Sequence, residues 1–287
     1  MLNSDRTNHN RQVARYYDAI NQDFLLVWTD RQSLALHFGY WDTSTRSHYE
    51  AQLNLNRILA QRADLRPGLR VLDAGCGIGG SAIWLAQQYG VQVFGITLSP
   101  TQARRARVYA AQRDVADRTV FGLLDYTALA LGEATVDVVW ALESVCHALN
   151  KEDFLAEAFR VLRPGGRLVV ADGFRCTRPC SVEDERLLQT WLSGWAIPDI
   201  DTPTEFSTAM RAVGFSDIRF DDVTDRIRPS MRRLDRLSLW IVPPARLLRR
   251  ARLLSPIRLD NGEASAVCCE ALRRGLTLYG LVSGVKP

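Results

Sequence analysis

Two stretches of the chain carry residue types from which chemistry can be built. In "RVLDAGCGIGG", Arg70 to Gly80, Asp73 stands two residues ahead of Gly75, and Gly77 and Gly80 complete a G-x-G-x-x-G spacing. Glycines so spaced let backbone come close to a ligand or a helix, but the pattern has meaning only between a strand and a helix. In "WALESVCHAL", Glu143 and His147 lie four residues apart, directly after an apolar run. A carboxylate there is costly to bury unless it is paired or used. An imidazole there is either a general base or a buried, neutral, hydrogen-bonded group.

The first stretch has the context it needs. "LRVLDA" is a short apolar run of β formers, and "SAIWLAQQYG" has helical spacing with Gly90 as its stop. A nicotinamide-binding turn also wants an acidic residue about 20 residues beyond the first glycine. The next strand, "VQVFGIT", ends instead in Thr97. An NAD-dependent oxidoreductase therefore loses its main support. Asp73 would repel a diphosphate laid on this turn and suits a cationic ligand better.

The elements that must position these residues alternate from Arg70 onward as short strands and amphipathic helices, the pattern of a doubly wound α/β sheet. Strands are expected at "RVLDA", "QVFGIT", "TVFGLL", "VDVVWAL", "GRLVVAD", "SDIRFDDV" and "LTLYGLVSG". Helices are expected over Gly79–Tyr89, Pro100–Arg113, Glu152–Leu162 and Glu205–Val213. Arg163 to Gly166, "RPGG", reads as a helix-to-strand turn with a positive φ at Gly165 or Gly166. The division expected is an N-terminal helical cap over 1–65, a core over 66–223, a helical insertion over 224–275 and a final core strand over 276–287.

The composition is that of an ordinary globular chain, with 47% apolar and 24% charged residues and a net charge of +4. The six cysteines do not pair into zinc-ligand clusters with His, so no metal is expected. With no apolar leader and no spanning segment, the expected location is the cytoplasm.

"LDAGCGIGG" with its leading Asp resembles motif I of the class I S-adenosylmethionine (SAM) dependent methyltransferases. "YYD" at Tyr16–Asp18, "HFGYW" at His37–Trp41, "GITLSPTQ", "LLDYTAL" and "ESVCHAL" extend the likeness over about Arg15 to Asp222. They are most similar to the tocopherol and terpenoid methyltransferases and the cyclopropane fatty acid synthases. The resemblance implies a Rossmann-like seven-stranded sheet with SAM as cofactor. It implies Asp73, Gly75 and Gly77 at the methionine end, with Tyr17 nearby, and ribose contacts from Thr97 and Gln102, with Leu98 between them. Asp125 would accept from the adenine amino group and Tyr126 would cover its face, unless Asp125 is only a solvated loop residue. Glu143 would border the cofactor and, with His147, supply the catalytic base. Tyr40 and Trp41 are placed near the acceptor, Tyr40 with Gly39 toward the methionine end of SAM, and packing is the alternative role for Trp41.

The insertion reads "DRIRPSMRRLDRLSLWIVPPARLLRRARLLSPIR", with Arg interleaved among Leu, Ile and Trp. Such a stretch can be an amphipathic lid, a helix lying weakly on a membrane surface, a pocket for an anionic apolar substrate, or a solvated face. In the third case Arg228, Arg232 and Arg233 would hold a diphosphate or carboxylate. The leading expectation is methyl transfer to a small, largely apolar natural product, isoprenoid or phenol-like, at carbon or oxygen. Its alternatives are a prenyl diphosphate C-methyltransferase and a non-catalytic SAM-binding scaffold. No nucleic-acid module is present, and homo-oligomerisation stays open.

Overall fold

The computed structural model describes residues 2–29 and 32–287, so Met1, Asp30 and Arg31 of the expected cap lie outside the described residues. The strands are β1 (Arg70–Ala74), β2 (Gln92–Thr97), β3 (Thr119–Leu123), β4 (Val136–Leu142), β5 (Leu162–Arg175), β6 (Ser216–Asp222) and β7 (Thr277–Val285). They form one sheet in the order β3-β2-β1-β4-β5-β7-β6. The first five are parallel, and β7 runs antiparallel between β5 and β6.

Parallel strands covered on both faces read as continuous apolar runs. In β1, Val71 and Leu72 point to opposite faces and join separate buried clusters, one with Leu85 and Trp140, the other with Val139 and Phe154. The helices covering these faces are α2 (His48–Arg62), α3 (Gly80–Tyr89), α4 (Pro100–Gln112), α5 (Lys151–Val161), α6 (Val182–Gly194) and α7 (Pro203–Val213). Several of these starts are fixed by side-chain caps, from Ser99 for α4, Asn150 for α5, Ser181 for α6 and a Thr202/Glu205 capping box for α7.

Two details differ from the sequence expectation. Arg163 to Gly166 belongs to β5 itself: Gly165, at φ +77°, donates to Lys286 O at 2.7 Å, and Lys286 N–H donates back to Gly166 O at 2.9 Å. The antiparallel partner thus draws the turn into the ladder. The second difference is α6, a helix not anticipated between β5 and α7.

Three additions surround the carboxyl ends of the strands. Helix α1 (Leu2–Asp23) continues as a π-helical turn, Phe24–Trp28. The segment from Ser33 to Trp41 lies against α2, where a Cβ on Gly39 would stand 2.5 Å from Ala51 Cβ. Between β6 and β7 run α8 (Thr224–Arg250) and α9 (Pro256–Arg273), which pack on each other.

Candidate active site

The sheet order reverses between β1 and β4, where open α/β sheets bind their ligands. A cavity of about 550 Å³ lies there, at the carboxyl ends of β1, β2, β4 and β5, and it extends between α1, α6, α8 and α9. Its far wall is apolar, with Trp191, Trp195, Ile197, Ile227 and Met231.

The glycine turn joins the two central strands. Gly75, at φ +94°, abuts β4 so closely that a Cβ would sit 2.3 Å from Ser144 Cβ. The N–H groups of Gly75 and Cys76 both donate to Ile96 O at 2.9 Å, which holds the turn against β2. Gly75→Ala should therefore cost a few kcal/mol of stability and abolish SAM binding. Thermal melts and calorimetry check this, and a variant that melts and binds as wild type would refute the packing argument.

Asp73 is 2% exposed and its Oδ2 has no hydrogen-bond partner. Burial pushes its carboxyl from 3.8 up to about 7. An orphaned buried carboxylate oxygen fits an ammonium ligand, and Asp73 lines the cavity together with Gly75 and Gly77. Beyond β2, Thr97 Oγ1 donates to Gln102 Oε1 at 2.8 Å, and Ser99 Oγ accepts from Gln102 N–H while donating to Asp18 of α1. Thr97, Leu98, Gln102 and Tyr126 all line the cavity, and the Tyr126 hydroxyl is anchored on Ser144 O. This donor set fits a ribose and an aromatic base without phosphate.

Glu143 sits at φ +50°, outside the usual range for its residue type, at the end of β4. Its Oε1 accepts from Phe38 N–H and from the Tyr279 hydroxyl, both at 2.8 Å. Burial outweighs those bonds and pushes the carboxyl up to about 8. His147 is also buried. A carbonyl can only accept, so its Nδ1 donates to Ala196 O at 3.2 Å, and Nε2 accepts from the Tyr17 hydroxyl at 2.7 Å. Burial holds the imidazole neutral by lowering it to about 4. Lys151 pins the loop below by donating to Cys146 O, Ala148 O and Asp199 O.

Some expected residues lie elsewhere. Asp125 is absent from the cavity wall: its carboxylate accepts from Asn10 of α1 and from Thr127, with Arg6 beside it at 3.6 Å. Tyr40 lies beneath Arg226, and Trp41 Nε1 donates to Ser230, so both fasten the 33–41 segment to α8. Arg228, Arg232 and Arg233 do not reach the cavity. Arg228 pairs with Asp225 in its own helix, Arg232 is exposed, and Arg233 donates to Val27 O.

Other wall residues were missed. Asp172, at the carboxyl end of β5, is buried and accepts from Cys146 and Gly173 N–H. Its position in "VVAD" was a usable signal. His37 borders the cavity with its Nδ1 on Phe38 O and its Nε2 buried without a partner. Tyr279 could be paired with Glu143 only once the β7 register was known. Among the described residues no cluster of His, Cys, Asp and Glu could hold a metal ion.

Comparison with known proteins agrees with this geometry. Residues 4–224 match the mycolic acid cyclopropane synthetase family. The 27-O-demethylrifamycin SV methyltransferase of Amycolatopsis mediterranei is 36% identical over 221 residues, 76% of this chain and 79% of that one. The chloroplastic tocopherol O-methyltransferase of Arabidopsis thaliana is 27% identical over 301 residues, 96% of this chain and 82% of its own. The crystal structure of the [4+2]-cyclase SpnF superposes with a TM-score of 0.82 at 26% identity, over 97% of each chain. From glycine turn to shared sheet, the chain belongs to the mycolic acid cyclopropane synthetase family and is a SAM-dependent methyltransferase of small molecules.

Proposed function

We propose that the protein methylates a hydroxyl group on a bulky, largely apolar natural product, with His147 as the base and Tyr17 as its contact to the acceptor. The observation that carries this reading is the Tyr17–His147 pair, whose 2.7 Å bond and fixed tautomer leave Nε2 as the one basic nitrogen of the ring. SAM, when bound, supplies an electrophilic methyl group on a sulfonium. Asp73 holds the ammonium end, Thr97 and Gln102 the ribose, and Leu98 and Tyr126 the base. Tyr17 Oη accepts a hydrogen bond from the acceptor hydroxyl. As that oxygen is methylated, its proton passes to Tyr17 Oη and the Tyr17 proton passes to His147 Nε2. Ala196 O stabilises the imidazolium so formed. Trp191, Trp195 and Met231 exclude water and orient the acceptor.

In this reading residues 1–65 act as the cap, 66–223 with 276–287 as the core, and 224–275 as the lid. Two relatives are named for methylation at oxygen, which supports the choice of a hydroxyl acceptor. A prenyl diphosphate finds little to neutralise it: the arginine in the cavity wall, Arg258, already pairs with Asp23. A non-catalytic scaffold would leave the Tyr17–His147 pair without a use.

Mass spectrometry of methyl transfer from labelled SAM to a panel of hydroxylated macrocycles, prenylated phenols and prenyl diphosphates tests the reading. Products are expected from the hydroxylated acceptors. Transfer to the diphosphates alone, or to none of the panel with SAM bound, would overturn it.

A further inference from the structure

The distal half of the α8–α9 hairpin differs from the rest of the surface. Up to Val242, α8 buries Ile227, Ser230, Met231, Ser238 and Val242 against the body of the protein. The Pro243–Pro244 pair then removes two backbone donors from the helix. From Pro243 to Glu263 every residue is at least partly exposed. Much of what is exposed there and in the turn of α8 just before it is apolar: Leu239 at 68%, Trp240 at 81%, Leu247 at 65% and Leu253 at 75%, with Ile241 and Leu248 beside them. Trp240, Leu247 and Leu248 recur at helical spacing and form one stripe.

The charge on this half is mainly positive, with Asp260 and Glu263 at its far end. Between Asp235 and Asp260 the chain has six arginines, at 236, 246, 249, 250, 252 and 258, and no acidic residue. Arg246 pairs with Glu263 and Arg258 with Asp23, while Arg249, Arg250 and Arg252 form no salt bridge among the described residues. The patch also adjoins the cavity. Trp240, Leu248 and Arg258 line the cavity and are exposed to solvent at the same time. The cavity therefore opens through the patch.

We infer that this face docks on an anionic lipid bilayer, with the apolar stripe in the acyl boundary and the arginines on headgroup phosphates. An exposed Trp among Leu side chains, flanked by arginines that outnumber the acidic residues, is the composition of an interfacial helix. Charge argues against a second copy as the occupant, because a two-fold contact through this patch would set unpaired arginines against one another. The docked orientation places the cavity mouth at the membrane, so an apolar acceptor reaches the site without crossing water. The docking stands on the surface alone and does not depend on which acceptor is methylated.

Co-sedimentation of the whole protein with vesicles tests this, using phosphatidylcholine alone or mixed with phosphatidylglycerol. Binding is expected only with the mixed vesicles, and salt should weaken it. R249E/R250E and Leu247→Ser should each lower vesicle partition by about tenfold or more. R249E/R250E should leave SAM affinity unchanged, which shows that the variant is folded. Absence of binding to the anionic vesicles, or variants that bind like wild type, would overturn the inference. So would a dimer in sedimentation velocity that Leu247→Ser dissociates, or capture of this face by an acidic protein in place of lipid.

Discussion

Asp73→Asn should abolish useful SAM binding and, at the same time, stabilise the ligand-free protein at neutral pH. Both effects come from one buried carboxyl with an unpartnered oxygen. Burial raises it from 3.8 to about 7, so between those values the unfolded chain carries the charge and the native one carries the proton. Stability therefore falls as pH rises through that window, and the full cost, on the order of a few kcal/mol, is present once pH exceeds the folded value. An amide removes this dependence. Thermal melts of the variant should run above wild type near neutrality and converge with it at acid pH. The affinity change has the opposite sign. Losing a buried ammonium–carboxylate pair should weaken SAM by about 100-fold or more. In the wild type, binding must expel the Asp73 proton below about pH 7. Affinity should then rise about tenfold per pH unit up to that point and level off above it. Calorimetry in buffers of different ionisation enthalpy measures the proton release. An Asn variant with unchanged affinity would remove Asp73 from the cofactor site.

His147→Ala should lower kcat by a factor of about 100 to 10,000 while leaving SAM affinity within a few-fold of wild type. The pH profile of kcat at saturating SAM separates His147 from Glu143 as the base. His147, held down at about 4 by burial, is already deprotonated at neutral pH, so its use predicts a flat profile from about pH 5 upward. Glu143, pushed up to about 8, would give a rate that climbs through that value. A climbing profile that Glu143→Gln flattens would transfer the role to Glu143. Glutamine is the fitting substitute there, because its carbonyl oxygen can still accept from Phe38 N–H and Tyr279 and so keep the 33–41 segment in place.

The parts of this site that sequence made legible depend on local chemistry. The order strand, glycine turn, helix fixes Asp73 and Gly75 within a few residues of each other, and Ser99 with Gln102 is a helix cap readable from its spacing. What escaped depends on contacts far apart in the chain. Asp125 has the local setting of an adenine contact, but the side chain that takes it up comes from Asn10, 115 residues away. The pairing of His147 with Tyr17 spans 130 residues, and that of Glu143 with Tyr279 spans 136. Arg228, Arg232 and Arg233 lie off the cavity wall for a different reason. Composition gave their charge, but helical phase decides which side faces the cavity, and α8 turns Ile227, Met231 and Leu234 toward it instead. Helix α6 was missed although Ser181 and Asp184 form a readable start signal.

Only Lys151 and Lys286 among the 36 basic residues are lysines. Lys151 Nζ donates to three carbonyls, and Lys286 Nζ donates to Phe159 O, Arg160 O and Leu162 O while lying over the Phe159 ring. A compact ammonium with three rotatable donors can converge on three carbonyls as a planar guanidinium cannot. Lysine is thus confined to the two places where its shape is required, and both amines are engaged. Amine-directed acylation, cross-linking or immobilisation would meet a native surface with no freely extended lysine, and new lysine reactivity in this protein would mark the opening of the Lys151 loop or of the end of the β5–β7 ladder.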